Sequence, residues 1–138
     1  YVWEALKKRR IEVYDGHAMR NYVHVRDVAR AFLDIATRPG WGDREWPSLG
    51  AFNFGNDGAN LSKHKLAMKV SNHFGHKSTT FPVVGVRVEP VGGTDPDKRN
   101  YIVSSAKLAK AGVVAEIGLD EGIEELIRGY RCDPGMYS

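Results

Sequence analysis

The stretch Arg20-Asn21-Tyr22-Val23-His24-Val25-Arg26-Asp27-Val28-Ala29-Arg30-Ala31 passes from a charged loop through a short β-favouring window into a helix. Tyr22, Val23 and Val25 fit a strand too short to be helical, whereas Val28, Ala31, Phe32 and Ile35 recur at helical spacing. The change of period falls at Asp27, and an aspartate there accepts backbone N–H bonds in a first turn and complements the positive end of the dipole. Asp27 is therefore expected to cap the helix. Arg20 precedes the strand. Read alone, it is either a solvated or salt-bridged loop residue or a guanidinium aimed at an anion, which its planar fork binds through paired, charge-assisted bonds.

The same alternation of strands and helices continues outward. Residues 1–9 read as the end of a helix with Val2, Trp3 and Leu6 on one face and Lys7 to Arg10 where positive charge suits the dipole. Ile11-Glu12-Val13-Tyr14 is a short strand, and Asp15-Gly16 a turn. Arg38 to Pro47, with Trp41 and Trp46, is rich in breakers and reads as an exposed connection whose tryptophans pack locally. Ala51 to Gly55 reads as a strand, Asn56-Asp57-Gly58 as a turn, and Leu61-Ser62 as the start of a helix stopped by Gly75. Thr79 to Val88 suggests one or two strands broken by Pro82 and Gly85, and Pro90 with Gly92-Gly93 opens a loop expected to be mobile over about 90–98. Leu119 to Ile127, acidic at its start and followed by Arg128 and Arg131, is a terminal helix. The expected class is α/β, short strands with about four to five helices, at about 27–37, 62–75, 104–111 and 119–131 after the first.

Four of these segments, in this order, resemble the extended short-chain dehydrogenases, the family of NAD-dependent nucleotide-sugar epimerases and dehydratases. The first is Arg20 followed by Asn21-Tyr22-Val23-His24-Val25 and the Asp27-Val28-Ala29 helix start. Phe52-Asn53-Phe54-Gly55 leading to Leu61-Ser62 is the second, and Asp97, Arg99 and then Lys107 the third. Leu119-Asp120-Glu121-Gly122-Ile123 closes the series. The resemblance spans nearly the whole chain. It implies the C-terminal, substrate-binding portion of a Rossmann-type enzyme, over 1–138, with the N-terminal Rossmann domain absent. Such an enzyme oxidises a sugar carbon by transient hydride transfer to NAD or NADP. By the same resemblance Arg20 grips phosphate, Tyr14 or a nearby backbone group meets the base or ribose, and Asp97 and Arg99 contact ribose or phosphate; the ligand is a nucleotide-diphosphate sugar and the parent enzyme a homodimer, with a cytoplasmic location expected.

Departures from the family pattern are equally informative. A tyrosine-x-x-x-lysine pair, in which lysine lowers the phenol pKa for proton exchange, is not present, and Tyr22 has Arg26 four residues on. Nor does a glycine fingerprint join a strand to a helix to cradle a dinucleotide pyrophosphate. No residue here is therefore expected to be catalytic and no cofactor is expected to bind this portion alone. Thr94 and Pro96 stand where the family often has arginine and glycine, so Arg99 or Arg87 is left to supply a second phosphate-directed guanidinium, with Arg99 read equally as a structural ion-pair partner; Arg26 stands where an acid is common. The competing reading is a non-catalytic nucleotide-sugar binding or interaction domain.

Composition bounds the remainder. A chain of 138 residues that begins without methionine is shorter than a complete enzyme of this kind and is read as a fragment. With 20 Lys+Arg against 17 Asp+Glu the net charge is +3, and the basic residues are scattered, so nucleic acid is not a predicted partner. Cys132, the single cysteine, excludes an internal disulfide. No apolar run approaches the roughly 20 residues that span a bilayer, so no membrane partner is expected. His64, His73 and His76 are too far apart, with Lys65 and Lys69 between them, to share a metal-facing surface. The Lys63-His64-Lys65 run reads as a solvated face.

Overall fold

The computed structural model describes residues 1–39, 50–75, 85–93, 96–97 and 99–132. Outside the described residues lie the Trp41 and Trp46 connection, His76, the 79–84 part of the expected strand, and Thr94, Asp95 and Lys98 of the expected mobile loop.

Helix α1 (Val2–Lys8) ends where Arg9 adopts a left-handed conformation, φ 55°, which turns the chain directly into strand β1 (Arg10–Val13). After the Asp15-Gly16 turn come β2 (Met19–Asn21) and helix α2 (Val25–Thr37). A single 3-10 turn (Asp57–Ala59) leads into β3 (Asn60–Ser62) and α3 (Lys63–Gly75). Strand β4 (Arg87–Pro90), helix α4 (Ala106–Ala109) and helix α5 (Leu119–Cys132) complete the described chain. The class is α/β, with five α-helices and short strands among the described residues.

Among the described residues the strands form two small sheets. β1 and β4 are parallel, Ile11 opposite Val88, with α3 on the connection between them; β2 and β3 are antiparallel, Arg20 opposite Leu61. The first sheet carries the main core. Ile11 and Val13 of β1 pack with Ala5 of α1, Ala67, Val70 and Phe74 of α3, and Ile123 and Ile127 of α5. A smaller cluster under α2 joins Ala31, Leu108 and Val113, against which Phe52 and Phe54 pack. The apolar stripes of α3 and α5 are thus each buried on one face, as their helical spacing requires.

Several expectations need correction. Tyr22 and Val23 do not form the strand: β2 ends at Asn21, because its ladder partner β3 is only three residues long. Residues 51–55 are not a strand either, since among the described residues no segment pairs with them, and a β-favouring run without a ladder neighbour has no hydrogen-bond reason to be one. The strand anticipated over Thr79–Val88 is observed at 87–90, where Pro90 is tolerated at the end. The α2 cap is His24, whose Nδ1 accepts from the Arg26 N–H at 3.1 Å.

Asp27 lies inside the first turn rather than at its cap, and is 1% exposed. Its carboxylate accepts from the backbone N–H groups of Glu116 (3.1 Å) and Ile117 (2.9 Å) and from Arg30 at 2.8 Å. Its role is to tie α2 to the segment that leads into α5. Among the described residues, no helix is long and apolar enough to cross a membrane.

Candidate functional site

Asn21 begins the framework of the site. Its side chain donates to the Asn56 carbonyl at 2.7 Å and to Asn60 Oδ1 at 3.0 Å, and accepts from the Asn56 N–H at 3.1 Å. Asn60 in turn bonds both backbone groups of Val103, accepting at 2.9 Å and donating at 2.8 Å. Ser105 extends the lattice, its hydroxyl donating to the Gly55 carbonyl at 3.0 Å. Gly55 is required at its position: a Cβ there would lie 2.3 Å from Asn21 Oδ1. These polar bonds fix the antiparallel β2–β3 pair against residues 103–105, and so help to fix the place of Arg20.

Arg20 is 9% exposed and its guanidinium turns toward the 97–101 segment. Nη1 donates to the Met19 carbonyl at 2.8 Å and to the Arg99 carbonyl. Nη2 donates to the Asp97 carbonyl at 2.9 Å and faces the Asp97 carboxylate at 3.3 Å. The face of the guanidinium lies 5.2 Å from the centroid of the Tyr101 ring, within reach of a cation–π contact. Met19 N–H, next along the strand, donates to Asn100 Oδ1 at 2.8 Å. A segment some 80 positions away in sequence is thereby stitched to β2 by side chains, with Arg20 at the centre.

Asp97 and Arg99 form the outer half. The Arg99 side chain reaches back to Asp97 with Nε at 2.7 Å from Oδ1 and Nη2 at 2.8 Å from Oδ2, a bidentate pair, and its own N–H donates to Oδ1 at 3.1 Å. These bonds, the Arg99 side chain first and the Arg20 charge among the lesser causes, hold the Asp97 carboxyl far below the usual carboxylate range. Arg99 is pushed further up by the same pairing. The Arg99 side chain is 76% exposed, against 11% for that of Arg20. One guanidinium is thus fixed and buried, the other exposed to solvent.

Three of the residues expected from the sequence, Arg20, Asp97 and Arg99, therefore meet in one corner. Tyr14 is placed differently: it follows β1, is 41% exposed, and its ring flanks Gly93, where a Cβ would be 3.8 Å from the ring. It borders the loop that leads to Asp97. Arg87, the alternative second guanidinium, opens β4 opposite Arg10. Sequence reasoning missed Tyr22 and Tyr101. Burial raises the Tyr22 phenol, with Arg20 opposing and Tyr101 adding to the shift. The available signal for Tyr101 was spacing: Asp97, Arg99 and Tyr101 alternate, as residues on one side of an extended segment do.

Apart from this corner, a cavity of about 590 Å³ opens between α1, the 22–25 segment, α3 and α5; Trp3, Tyr22, Val25, Leu66, Leu126 and Tyr130 are among its walls. Among the described residues, no carboxylate, ammonium or guanidinium side chain lines it. His24 reaches its wall with both ring nitrogens engaged, Nδ1 at the α2 cap and Nε2 at 3.2 Å from Glu125. Its walls suit apolar contact rather than charge. Among the described residues no three His, Cys, Asp or Glu side chains gather as a metal site, and His73 instead bridges Asp120 and Glu124.

No protein-family model matches the chain. Among solved structures, it is similar to an NAD-dependent NDP-hexosamine 5,6-dehydratase, TunA, involved in tunicamycin biosynthesis, with a TM-score of 0.68 and 19% sequence identity. The match covers 94% of this chain and 38% of that one, so the chain spans well under half of the solved protein's length. At that identity the likeness concerns the fold: the α/β arrangement described above is that of a part of the solved dehydratase.

Proposed function

We propose that this chain is the substrate-binding portion of an NAD(P)-dependent nucleotide-sugar epimerase or dehydratase, and that the corner formed by Arg20, Asp97 and Arg99 receives the diphosphate of the nucleotide sugar. The observation that carries this reading is the convergence of a buried and an exposed guanidinium on one point, from segments 79 positions apart. Guanidinium forks match the paired oxygens of phosphate, and one already fixed by backbone carbonyls loses little freedom on binding. Tyr14, beside Gly93, is positioned to border the base or ribose, and Asp97 to accept from a ribose hydroxyl once it leaves Arg99.

The fold neighbour supports the wider setting, since its name describes an NAD-dependent enzyme acting on an NDP-hexosamine. NAD or NADP would supply a hydride acceptor for the sugar carbon. The residues present do not fit the cofactor: the chain lacks the glycine-rich strand-to-helix turn that cradles a dinucleotide, and the apolar cavity has no cation for its pyrophosphate. Cofactor and proton-transfer groups would lie in another part of a cytoplasmic, homodimeric enzyme, and residues 1–138 would hold substrate without turning it over.

Mass spectrometry of the whole gene product incubated with nucleotide sugars tests the proposal. Loss of water from the sugar identifies a dehydratase, and a product of unchanged mass that chromatography separates from the substrate identifies an epimerase. If neither forms while nucleoside diphosphate still binds, the chain belongs to a non-catalytic binding module.

A further inference from the structure

We infer that the Asp97 carboxylate is a built-in occupant of the anion seat between Arg20 and Arg99, and that a phosphoryl group enters by displacing it; this rests on the diphosphate reading above. The carboxylate oxygens sit 3.3 Å from Arg20 Nη2 and 2.7 and 2.8 Å from Arg99 Nε and Nη2, so two guanidinium groups already bracket one anion. That is the environment that two oxygens of a phosphoryl group take between arginines. The anchoring of Arg20 does not depend on this carboxylate. Its guanidinium is also held by the carbonyls of Met19, Asp97 and Arg99, which stay in place if the Asp97 side chain rotates away. Arg99, by contrast, is bound to Asp97 by local bonds only two residues apart and is exposed, so it is free to swing with or away from the carboxylate.

Two consequences separate this role from simple ligand contact. Asp97 competes with the anion, so it lowers affinity for any small phosphate that offers no ribose. It remains ionised throughout the neutral range, because the paired arginines favour its charged form, so mild acid does not lift the competition.

Isothermal calorimetry with inorganic pyrophosphate, on the chain as it stands, tests the inference. Asp97→Asn is expected to bind pyrophosphate roughly fivefold more tightly than the natural protein, the effect of removing one screened like charge beside the ligand. Asp97→Ser, also uncharged, is expected to gain similarly and serves if the asparagine variant folds poorly by circular dichroism. Adding Arg20→Ala to either variant is expected to abolish the gain. Unchanged or weaker binding in both Asp97 variants, with Arg20→Ala still weakening binding, overturns the displacement role while leaving the anion seat standing. Absence of pyrophosphate binding in every folded variant removes both.

Discussion

Arg20 donates through Nη2 to the backbone carbonyl of Asp97 at 2.9 Å and faces the same residue's carboxylate at 3.3 Å. The buried arginine therefore builds the loop before it can serve any ligand. Its burial and its carbonyl partners make it a structural residue as well as a candidate phosphate contact.

Arg20→Ala is expected to lower unfolding stability by about 1–3 kcal/mol, the range for losing bonds to a charged group that leave carbonyls unpaired. Chemical denaturation measures this. Hydrogen exchange should also quicken at Tyr101, whose N–H points to the Met19 carbonyl at 3.5 Å. Wild-type stability and exchange in the variant would show that the loop holds itself.

Asp27→Ala is expected to cost about 2–4 kcal/mol, because a buried carboxylate with two backbone N–H donors and Arg30 is lost, leaving those donors short of a partner. A cap at the same position would cost only about 1 kcal/mol. A loss of that smaller size in urea unfolding would return Asp27 to a capping role.

Much of the helical content was legible in the sequence, because apolar residues at 28, 31 and 35 and at 66, 67, 70 and 74 repeat at a helical period that burial then rewards, although Phe32, read as part of the same stripe, is 70% exposed. The two sheets were less so. β2 and β3 are three residues each, too short for alternation to show, and they exist because Asn21 and Asn60 lock them to neighbouring loops. Arg20, Asp97 and Arg99 could be singled out individually, but the contact of Arg20 with the other two is a long-range fact that no local pattern encodes. Asp27 shows the same limit: a first-turn aspartate looks alike whether it bonds its own helix or a loop 89 positions away.

Glycines in α5 should respond oppositely to alanine. A Cβ at Gly122 would lie 3.2 Å from His24 Cδ2, and His24 is pinned at both ring nitrogens, so the clash should cancel the helix-propensity gain of about 1 kcal/mol or exceed it. At Gly129 nothing lies within 4 Å, and Gly129→Ala should stabilise by about 0.5–1 kcal/mol. Thermal melts of the two variants check the contrast; equal gains would mean that His24 yields freely.

Acid should weaken the α3–α5 contact. The Lys69 ammonium first, and His73 second, hold the Asp120 carboxyl below its ordinary value in the folded protein. A carboxylate lowered on folding contributes stability that is full above its unfolded pKa and disappears as pH falls through its folded one. Because Asp120 is 61% exposed, solvent screening keeps that contribution below about 1 kcal/mol. Asp120→Asn should therefore melt slightly lower than wild type at neutral pH, with the gap closing as the pH falls below the ordinary carboxylate value and through the lowered folded one. A gap that stays constant across that range would assign the effect to packing.

The most direct test of the diphosphate site is calorimetric titration of wild type and Arg20→Ala with the 5′-diphosphates of uridine, guanosine, adenosine, cytidine and thymidine. Saturable binding of at least one of them to the natural chain, weakened roughly tenfold or more by Arg20→Ala, is the predicted result, as loss of a bond to a charged group would produce. Binding of none of them, or binding of equal strength in the two proteins, would contradict the assignment of Arg20, Asp97 and Arg99 as the nucleotide-sugar site.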